Sequence, residues 1–392
     1  MGSPTLDQDV RTGVKSAHAA LYCLRVVLMH DWLTGMRGGE KVLESLCRLF
    51  PQAPLYTLLH KPGSVCREIE QHSITTSPLQ HMPWSAKKYR HYLPLFPLFA
   101  EMTKARDCDL AVSTSHAVAK AMVSRERGRP FHVCYIHTPM RYVWDRFDDY
   151  FGPDKVGRRA SRYFFGPIAK GLQHYDRATA DRVDVFVANS RYVADRVRRI
   201  YNRDAEVVAP PVAVGRFIAG KRQPQDWYLV VAALVPYKRV DQAIAACASL
   251  RRPLKIIGSG PEEKQLRALA VSLKADVEFL GFVSDDDLAN YYLRARALLF
   301  PGVEDFGIVP VEAIASGCPV IALAEGGVLE TMTKRTAVFY SQASVAGLRS
   351  AMREFELRSF EPAELRLRAR GFSEEAFLAG LTGVLRRIPG LS

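Results

Sequence analysis

The sequence predicts an α/β protein built from two doubly wound parallel-sheet domains. Three observations support this fold class. The chain has 392 residues, a length that fits two domains. Short apolar runs of strand length alternate with amphipathic helical segments through both halves. Most of the predicted strands carry apolar residues at consecutive positions, as in sheets that helices cover on both faces.

The first half begins with a predicted strand, Leu24–Met29, which leads into the polar and glycine-rich loop His30–Gly39. A helix is predicted from about Glu40, because apolar residues then recur at helical spacing. A strand, a glycine loop and a helix in this order form the start of a doubly wound domain. Three more buried strands are predicted in this half: Leu110–Ser113, Val133–Ile136 and Val185–Ala188.

The second half begins after Pro210 and Pro211, a pair that favours stiff, extended backbone and suits a hinge. The predicted organisation is a disordered tail over residues 1–23, a Rossmann-like domain over 24–210, a second Rossmann-like domain over 211–370, and a C-terminal helix over 371–392 that packs back on the first domain. Five strands alternate with helices in the second domain: Tyr228–Ala232, Leu254–Ile257, Val277–Leu280, Ala297–Phe300 and Val320–Ala322.

The charge of the chain favours an anionic partner. The formal net charge is +13, which suits nucleic acid, anionic lipid or a phosphorylated substrate. Between Lys155 and Arg203 the sequence has 12 Lys or Arg residues against 4 Asp residues, a local net charge of +8. The alternative interpretation of this run is an ordinary solvated basic face.

The seven cysteines show no C-x-x-C spacing, so we expect mostly buried thiols in a reducing compartment. All ten histidines lie at or before His174, and none of their spacings suggests a zinc site. The first 23 residues lack the apolar segment of a secretory signal. The longest apolar runs are far shorter than the roughly 20 residues that span a bilayer, so we expect a soluble or peripheral protein.

The most informative segment is residues 301–317, which follows the predicted strand Ala297–Phe300. A helix is predicted to begin near Ile308, because Pro310 fits only a first turn, and to end before Gly317. The beginning of such a helix, at the mouth of a parallel sheet, binds anions through its backbone amides. The amides at this position are those of Phe306, Gly307, Ile308 and Val309.

Two carboxylates flank this predicted anion site. Glu304 precedes it in the loop, and Glu312 lies about one turn into the helix. Carboxylates beside a diphosphate are useful if they accept hydrogen bonds from hydroxyl groups of a sugar and a ribose, since bare phosphate repels them. The alternative is that Glu304 caps the helix and Glu312 is a surface residue.

Two further segments are candidates for binding phosphate or sugar. Lys238 follows the strand Tyr228–Ala232 and can pair with a diphosphate as a point charge, whereas Arg239 either shares this role or belongs to a solvated basic turn. Consecutive glycines at Gly38 and Gly39 let the backbone approach a ligand closely. The complete nicotinamide fingerprint G-x-G-x-x-G is absent from both candidate glycine loops, which argues against a dehydrogenase.

The spacing of Glu304 and Glu312 matches the E-x7-E pattern, and the chain resembles the GT-B glycosyltransferases, specifically glycosyltransferase family 4. The resemblance covers roughly residues 24–390. Blocks in the second half that share it are Ile257–Glu262, Phe279–Val283, Gly317–Ile321 and Gly326–Thr331. Blocks in the first half resemble a branch of mannosyltransferases of O-antigen and exopolysaccharide assembly, and these blocks are His30–Trp32, Gly38–Leu43, Ile136–Trp144 and Ala188–Arg191.

The resemblance implies a retaining sugar transfer without metal or cofactor. The second domain would bind the nucleotide sugar and the first domain the acceptor. Glu304 would face the donor sugar, Glu312 the ribose hydroxyls, and Lys238 the charge that develops on the leaving diphosphate. His137 lies where the family has a histidine near the reacting centre, or is an ordinary strand-end histidine. Backbone contacts are implied to the sugar from Phe306 and Gly307, and to the base from Phe282 and Val283.

One departure from the family pattern concerns Ala233, because the family usually has an arginine there that holds the phosphates together with the lysine. Either Arg239 compensates or the enzyme is weak. Asp107-Cys-Asp109 and Asp285–Asp287 resemble the Asp-x-Asp metal pattern of the other large transferase class. The first precedes a strand and the second is typical of a capped helix start, so we predict no metal site.

We therefore expect transfer of a sugar to a lipid-linked or oligosaccharide acceptor in surface-polysaccharide synthesis. By resemblance to the branch, the donor is GDP-mannose. The protein is expected in the cytoplasm, peripheral on the inner face of an anionic membrane, without a nucleic-acid partner. Two alternatives remain: a GT-B nucleotide-sugar epimerase, which forms no glycosidic bond, and a catalytically weak nucleotide-sugar-binding partner of a polysaccharide-assembly complex.

Overall fold

The computed structural model describes residues 24–388 except 106, 125, 127, 146, 148–156, 158 and 160, and it does not describe the side chains of 86 and 87. The chain divides into two compact units. Unit 1 comprises residues 1–211 and 377–392, and unit 2 comprises Val212–Ala376. The predicted tail over residues 1–23 lies outside the described residues, as do Lys155 and Arg158 of the basic run.

Unit 1 contains a seven-stranded parallel sheet with the strand order β3-β2-β1-β4-β5-β6-β7. Its inner strands are buried along most of their length because helices cover both faces, whereas the edge strands are partly exposed. The strands are β1 Val26–His30, β2 Leu55–Thr57, β3 Ile74–Thr76, β4 Leu110–Ser115, β5 Phe131–Ile136, β6 Val185–Ala188 and β7 Ala205–Val207.

The longer helices of unit 1 bury one apolar side against this sheet. Among the described residues before unit 2, α-helices are found at α1 Gly38–Leu49, α2 Arg67–Glu70, α3 Ser85–Lys88, α4 Phe96–Met102, α5 Arg141–Trp144, α6 Gly166–Ala178 and α7 Arg191–Tyr201. Short 3-10 or π-helical turns lie between them at Pro78–His81, Tyr89–Leu95, Ala119–Met122, Ser161–Phe165 and Thr179–Arg182.

Unit 2 contains a six-stranded parallel sheet with the strand order β10-β9-β8-β11-β12-β13. Its strands are β8 Tyr228–Val231, β9 Leu254–Ile257, β10 Val277–Gly281, β11 Leu298–Phe300, β12 Val320–Leu323 and β13 Ala337–Tyr340. Its helices are α8 Val214–Ile218, a 3-10 turn at Pro236–Lys238, α9 Val240–Leu250, α10 Glu263–Ser272, α11 Asp285–Arg294, α12 Ile308–Ala315, α13 Val328–Thr331, α14 Val345–Glu356 and α15 Pro362–Arg370.

The last helix, α16 Glu374–Leu385, begins at the cap Ser373, whose Oγ accepts a hydrogen bond from Ala376 N at 3.3 Å. From Phe377 onward this helix belongs to unit 1. The Phe377 ring packs edge-to-face on Tyr135 of β5, with the ring centres 5.7 Å apart. The C-terminal residues are therefore part of the apolar core of the first sheet.

The chain order reverses once within each sheet. In unit 1 the reversal lies between β1 and β4, which pair in register from Val26 with Leu110 to His30 with Thr114. In unit 2 it lies between β8 and β11, where Leu229 pairs with Leu298. At such a reversal the loops after the two strands leave toward opposite faces of the sheet, which opens a crevice.

The predicted fold class of two Rossmann-like parallel-sheet domains is confirmed. Each predicted strand is present, with ends that differ by at most two residues. The helix predicted from Glu40 begins two residues earlier, at Gly38. Four strands were not predicted, namely β2, β3, β7 and β13. Three of these have three residues each, which is too short for an alternating or continuous apolar pattern to be recognised.

Candidate functional site

The crevice of unit 2 lies between the loops that follow β8 and β11. Lys238 is on the first loop and Glu304 on the second, and the Lys238 Nζ forms an ion pair with the Glu304 carboxylate. Both side chains are largely buried, with 17% and 19% of their surfaces exposed. The structure therefore brings together the two residues that the sequence singled out on separate loops.

Glycines allow the loops around this crevice to approach each other backbone to backbone. A Cβ atom at Gly302 would lie 2.9 Å from Lys238 Cα, and one at Gly258 would lie 1.9 Å from the Ala232 carbonyl oxygen. Gly326 has a φ of +83°, and its missing Cβ would lie 2.5 Å from the Glu304 carbonyl oxygen. The Gly327 N–H donates a hydrogen bond to that same oxygen at 2.9 Å. The backbone around Glu304 is thus fixed from two sides.

Helix α12 begins beside Glu304, as the sequence predicts. It starts at Ile308, and its N-cap is Gly307, which has a φ of +92° and no side chain to cap the first amides. Phe306 is buried and packs edge-to-face on Phe372 at 5.7 Å. The amides at Phe306 to Val309 consequently form a helix N-terminus next to a lysine, which is an arrangement that attracts anions.

Glu312 is held by a residue that sequence reasoning missed. The hydroxyl of Tyr292 donates a hydrogen bond to Glu312 Oε2 at 3.1 Å. Burial, followed by the nearby Glu312 carboxylate, raises the pKa of Tyr292 well above its ordinary value, so the phenol stays protonated and donates. Glu312 is therefore partly buried and is held in place by this hydrogen bond. The alternative of Glu304 as a side-chain cap is wrong, since Gly307 occupies the N-cap position.

The remaining predicted residues of unit 2 lie on the loops that follow β8 and β10. Phe282 follows β10 and is 91% exposed, and Val283 lies beside it. Arg239 has a φ of +52° and precedes α9. Its Nη1 is buried and has no hydrogen-bond partner within the described ranges, so Arg239 is not a freely solvated cation. Ala233 is exposed on the loop after β8.

Asp31 organises the crevice of unit 1, between the loops after β1 and β4. Its buried carboxylate accepts four backbone hydrogen bonds of 2.7–3.0 Å and contacts His116 Nδ1 at 3.1 Å. Burial alone would raise the pKa of Asp31, but His116 and the amides outweigh it and lower that pKa. The carboxylate is therefore ionised and fixes the loop after β4. The four donors are the amides of His116, Ala117, Val118 and Ala119.

Three histidines converge beside Asp31. The ring centre of His116 lies 6.2 Å from the ring centre of His30 and 6.2 Å from that of His137. Trp32 packs edge-to-face on His116 at 4.4 Å, and His30 Nδ1 lies 2.5 Å from Thr114 Oγ1. Burial, followed by the other two histidines, lowers the pKa of His137 to about 3, so its imidazole is neutral at physiological pH.

Gly38 and Gly39 form the first turn of α1, directly against this cluster. A Cβ atom at Gly39 would lie 3.4 Å from His137 Nε2 and 3.5 Å from His30 Cε1. The structure thus joins Gly39 and His137, which the sequence proposed separately. It adds His30, Asp31 and His116. The sequence could have indicated these three, because they are polar residues at or just after the ends of two apolar strands.

Among the described residues, one group of side chains has ligand atoms close enough together to hold a metal ion. This group lies away from both crevices. It consists of Glu44, Cys66 and Glu68, whose atoms lie within 4.8 Å of one another. Arg48 forms ion pairs with both carboxylates. A guanidinium therefore already offsets part of the negative charge that a cation would meet.

None of the helices in the described part of the chain is long and apolar enough to cross a membrane. The described cysteines are free thiols, and five of the six are buried. The predicted buried thiols are therefore present in the structure.

Two Rossmann-like domains, each with a parallel sheet and a crevice at its reversal point, are the architecture of the GT-B fold. Two family models match consecutive parts of the chain: "Glycosyltransferase Family 4" over residues 36–216 and "Glycosyl transferases group 1" over residues 215–371. Each model alone matches less than half of the chain, and together they extend from residue 36 to residue 371, so the resemblance to glycosyltransferase family 4 is confirmed.

Curated relatives include mannosyltransferases. The GDP-mannose-dependent alpha-(1-6)-phosphatidylinositol monomannoside mannosyltransferase of Mycobacterium tuberculosis is 31% identical over 194 residues, which is 42% of this chain and 50% of that protein. The O-antigen chain mannosyltransferase RfbU of Salmonella typhimurium is 32% identical over 138 residues, 33% of this chain and 39% of that protein. The matched part thus spans half or less of these relatives.

Solved structures show the same fold over nearly the whole chain. The sucrose-phosphate synthase of Thermosynechococcus elongatus has a TM-score of 0.69 at 16% identity and covers 94% of this chain and 100% of its own. WaaG, a glycosyltransferase involved in lipopolysaccharide biosynthesis, has a TM-score of 0.60 at 17% identity. Its match covers 93% of this chain and 100% of its own. At these identities the likeness concerns the fold alone.

We predict that Gly302→Ala destabilises unit 2. The added Cβ atom would meet backbone atoms of Tyr237 and Lys238 at 2.9 Å, which no side-chain rotation can relieve. Overpacking of this kind costs about 1–3 kcal/mol. The free energy of unfolding from denaturant titration measures it. Gly215→Ala, where a Cβ atom has nothing within 4 Å, is the matched control. Equal stability of the two variants would contradict the close approach.

Proposed function

We propose that this protein transfers a sugar, with retention of its anomeric configuration, from a nucleotide diphosphosugar to a lipid-linked or oligosaccharide acceptor. The observation that carries the proposal is the Lys238–Glu304 ion pair beside the first turn of α12. A cation and free amides suit a diphosphate, whereas a carboxylate at the same point suits a sugar hydroxyl. A nucleotide sugar offers both groups at adjacent positions.

Each group of unit 2 has a role in this proposal. Lys238 and the amides at the start of α12 bind the diphosphate and stabilise the charge that develops as it leaves. Glu304 accepts hydrogen bonds from the transferred sugar. Glu312, held by Tyr292, accepts them from the ribose. The backbone at Phe282 and Val283 contacts the base, and the exposed Phe282 ring offers it a stacking surface.

The proposal includes catalysis without a metal ion or cofactor. The negative charge of a leaving diphosphate needs a counter-charge, and Lys238 with a helix N-terminus supplies one from the chain itself. We assign the acceptor to unit 1, whose crevice contains His137, Gly38 and Gly39.

GDP-mannose is our proposed donor. The support comes from two relatives, a GDP-mannose-dependent mannosyltransferase and an O-antigen chain mannosyltransferase. The first of these is a phosphatidylinositol monomannoside mannosyltransferase, and a phosphatidylinositol monomannoside is a lipid-linked sugar. We therefore propose that this protein also uses a lipid-linked or saccharide acceptor and acts in surface-polysaccharide synthesis.

We further propose that unit 1 binds the inner face of an anionic membrane, without a nucleic-acid partner. Large apolar side chains are exposed on residues 84–102 and 161–165, and basic residues lie beside them. Lys88 Nζ lies 5.8 Å from the Trp84 ring centre, and the Arg162 guanidinium lies 5.5 Å from that of Tyr163. The exposed side chains are Trp84, Leu95, Leu98, Met102, Tyr163 and Phe164.

The direct test incubates the purified protein with GDP-mannose and a lipid extract and analyses the products by NMR. A new α-mannoside supports the proposal in full, and a β-mannoside would contradict retention. An altered nucleotide sugar without a glycosidic bond would instead identify an epimerase. Binding of the nucleotide sugar without any turnover would instead indicate a nucleotide-sugar-binding partner of a polysaccharide-assembly complex.

Glu304→Gln should lower kcat strongly, whereas Glu312→Gln should chiefly raise the dissociation constant of the donor. The first carboxylate faces the reacting sugar, and the second contacts only the ribose. Losing one such hydrogen bond to a buried group costs about 1–3 kcal/mol. Steady-state kinetics and calorimetry separate the two effects. Glu354→Gln on the exposed side of α14 serves as the control. Wild-type kinetics for both site variants would show that the assignment is wrong.

Lys238→Ala should abolish transfer, because Ala233 leaves the lysine without the arginine that usually shares the phosphate. Removing one preorganised donor lowers kcat about 100–1,000-fold, and we expect the upper end. Ala233→Arg should tighten binding of the nucleotide diphosphate, since the position is exposed. If Arg239→Ala is as damaging as Lys238→Ala, Arg239 already fills the missing role. The exposed Lys334→Ala is the control.

Binding to vesicles should require anionic lipid and should weaken as salt is added. Each basic residue near such a surface contributes about 1 kcal/mol. Replacing Trp84 and Leu98 with Ser should lower the bound fraction in vesicle sedimentation. Leu357→Ser, which removes an exposed leucine from unit 2, should not. Equal binding to neutral and anionic vesicles would contradict the proposal.

A further inference from the structure

The first turns of α9 and α14 meet in unit 2, next to the end of β13. The side-chain amide of Gln242, in the first turn of α9, donates a hydrogen bond at 3.5 Å to the carbonyl oxygen of Ala343, which precedes α14. Tyr340 is the last residue of β13, and a Cβ atom at Gly347 of α14 would lie 3.2 Å from its ring. The amino ends of two helices, with 11 and 12 residues, therefore lie around Tyr340.

Three polar side-chain atoms at this point are buried and unpaired. They are Nη1 of Arg239, Oε1 of Gln242 and Oη of Tyr340, and none of them has a hydrogen-bond partner anywhere in the described parts of the chain. Tyr340 is only 7% exposed, so its hydroxyl is withdrawn from water. Burying polar atoms without partners is unfavourable, and these atoms consequently favour a ligand that pairs with them.

The charges around these atoms favour an anion. No carboxylate that the structure describes forms an ion pair with Arg239. Burial raises the pKa of Tyr340, and the Arg239 guanidinium lowers that pKa by less, so the phenol stays protonated and can donate. The first turn of α14 contains no acidic residue, and Asp241 in the first turn of α9 is exposed to water. Both helix ends add positive potential.

The unpaired oxygen of Gln242 narrows the chemistry of this anion. A carbonyl oxygen only accepts hydrogen bonds, so the ligand must also supply a donor. Inorganic phosphate keeps at least one P–OH group at neutral pH, and a phosphorylated sugar has hydroxyl groups beside its phosphate. Sulfate has acceptor oxygens for Arg239 and Tyr340 but no proton to donate. The site therefore suits a phosphate group with a hydroxyl donor next to it.

We propose that Arg239, Gln242 and Tyr340 form a second phosphate site, separate from the diphosphate site at Lys238. Lys238 pairs with Glu304 on the loop after β11, whereas Arg239 lies close to Tyr340 on β13, two strands further along the sheet. The two neighbouring cations thus face different ligands. This site goes beyond the proposed sugar transfer, because the donor diphosphate does not occupy it.

The first experiment is calorimetry on the full chain saturated with GDP, so that the site at Lys238 is filled. Titration with inorganic phosphate should still show one binding event. Sulfate should bind about tenfold more weakly or worse, because it leaves Gln242 unpaired. Mannose 6-phosphate distinguishes the two sources of the phosphate group. Tighter binding than that of inorganic phosphate identifies a phosphorylated sugar, and weaker binding identifies the free ion.

Tyr340→Phe and Arg239→Gln should each weaken phosphate binding about tenfold or more, since each removes a hydrogen bond to a charged ligand. Tyr340→Phe also removes an unpaired buried hydroxyl, so without phosphate its unfolding temperature should equal or exceed that of the wild type. A hydroxyl with a purely structural role would give a lower one. Arg251→Gln is the matched control, because Arg251 is exposed at the other end of α9 with the same φ of +52°.

The absence of phosphate binding by the GDP-saturated wild type would overturn the inference. If phosphate then binds only without GDP, Arg239 serves the donor diphosphate instead. Unchanged phosphate binding by Tyr340→Phe would also overturn it, and equal binding of sulfate would contradict the role of Gln242. Failure of the proposed function gives a different result. A wild type that binds phosphate through Tyr340 but binds no GDP would contradict the proposed donor and leave the second site in place.

Discussion

The reversal of strand order within each parallel sheet is the constraint from which both candidate sites follow. Right-handed crossovers place helices on one face while the chain moves one way along the sheet, and on the other face after it turns back. The loops after β1 and β4, and those after β8 and β11, therefore diverge and leave a crevice at the carboxyl edge. Asp31 and His116 lie at the first crevice, and Lys238 and Glu304 at the second.

The two crevices are stabilised by different means. In unit 1 the ionised Asp31 is fully buried, and four amides with one imidazole offset the cost of removing its charge from water. The loop that they hold has little freedom to move. In unit 2 the ion pair of Lys238 and Glu304 keeps part of its surface in water. This ion pair therefore contributes little to the stability of the fold. Each group can leave its partner and contact a ligand instead.

Close backbone approach explains why glycines are frequent around the second crevice. Side chains at Gly258, Gly302 and Gly326 would each meet main-chain atoms at 2.9 Å or less. The loops are consequently packed against one another, and the helix amides and the two charged side chains come within reach of one ligand. Unit 1 uses Gly39 differently, because the missing side chain there leaves space between histidines.

The sequence by itself determined the two-domain α/β fold, the helix start at Ile308 and the separate candidates Lys238, Glu304 and His137, because apolar periodicity, proline and glycine act locally along the chain. It did not determine the short strands β2, β3 and β7, which pairing with neighbours stabilises. Nor did it reveal the Tyr292 contact with Glu312 or the burial of Asp31. Those depend on residues from 20 to 88 positions apart, and only the pairing of the strands and the packing of the helices bring such residues together.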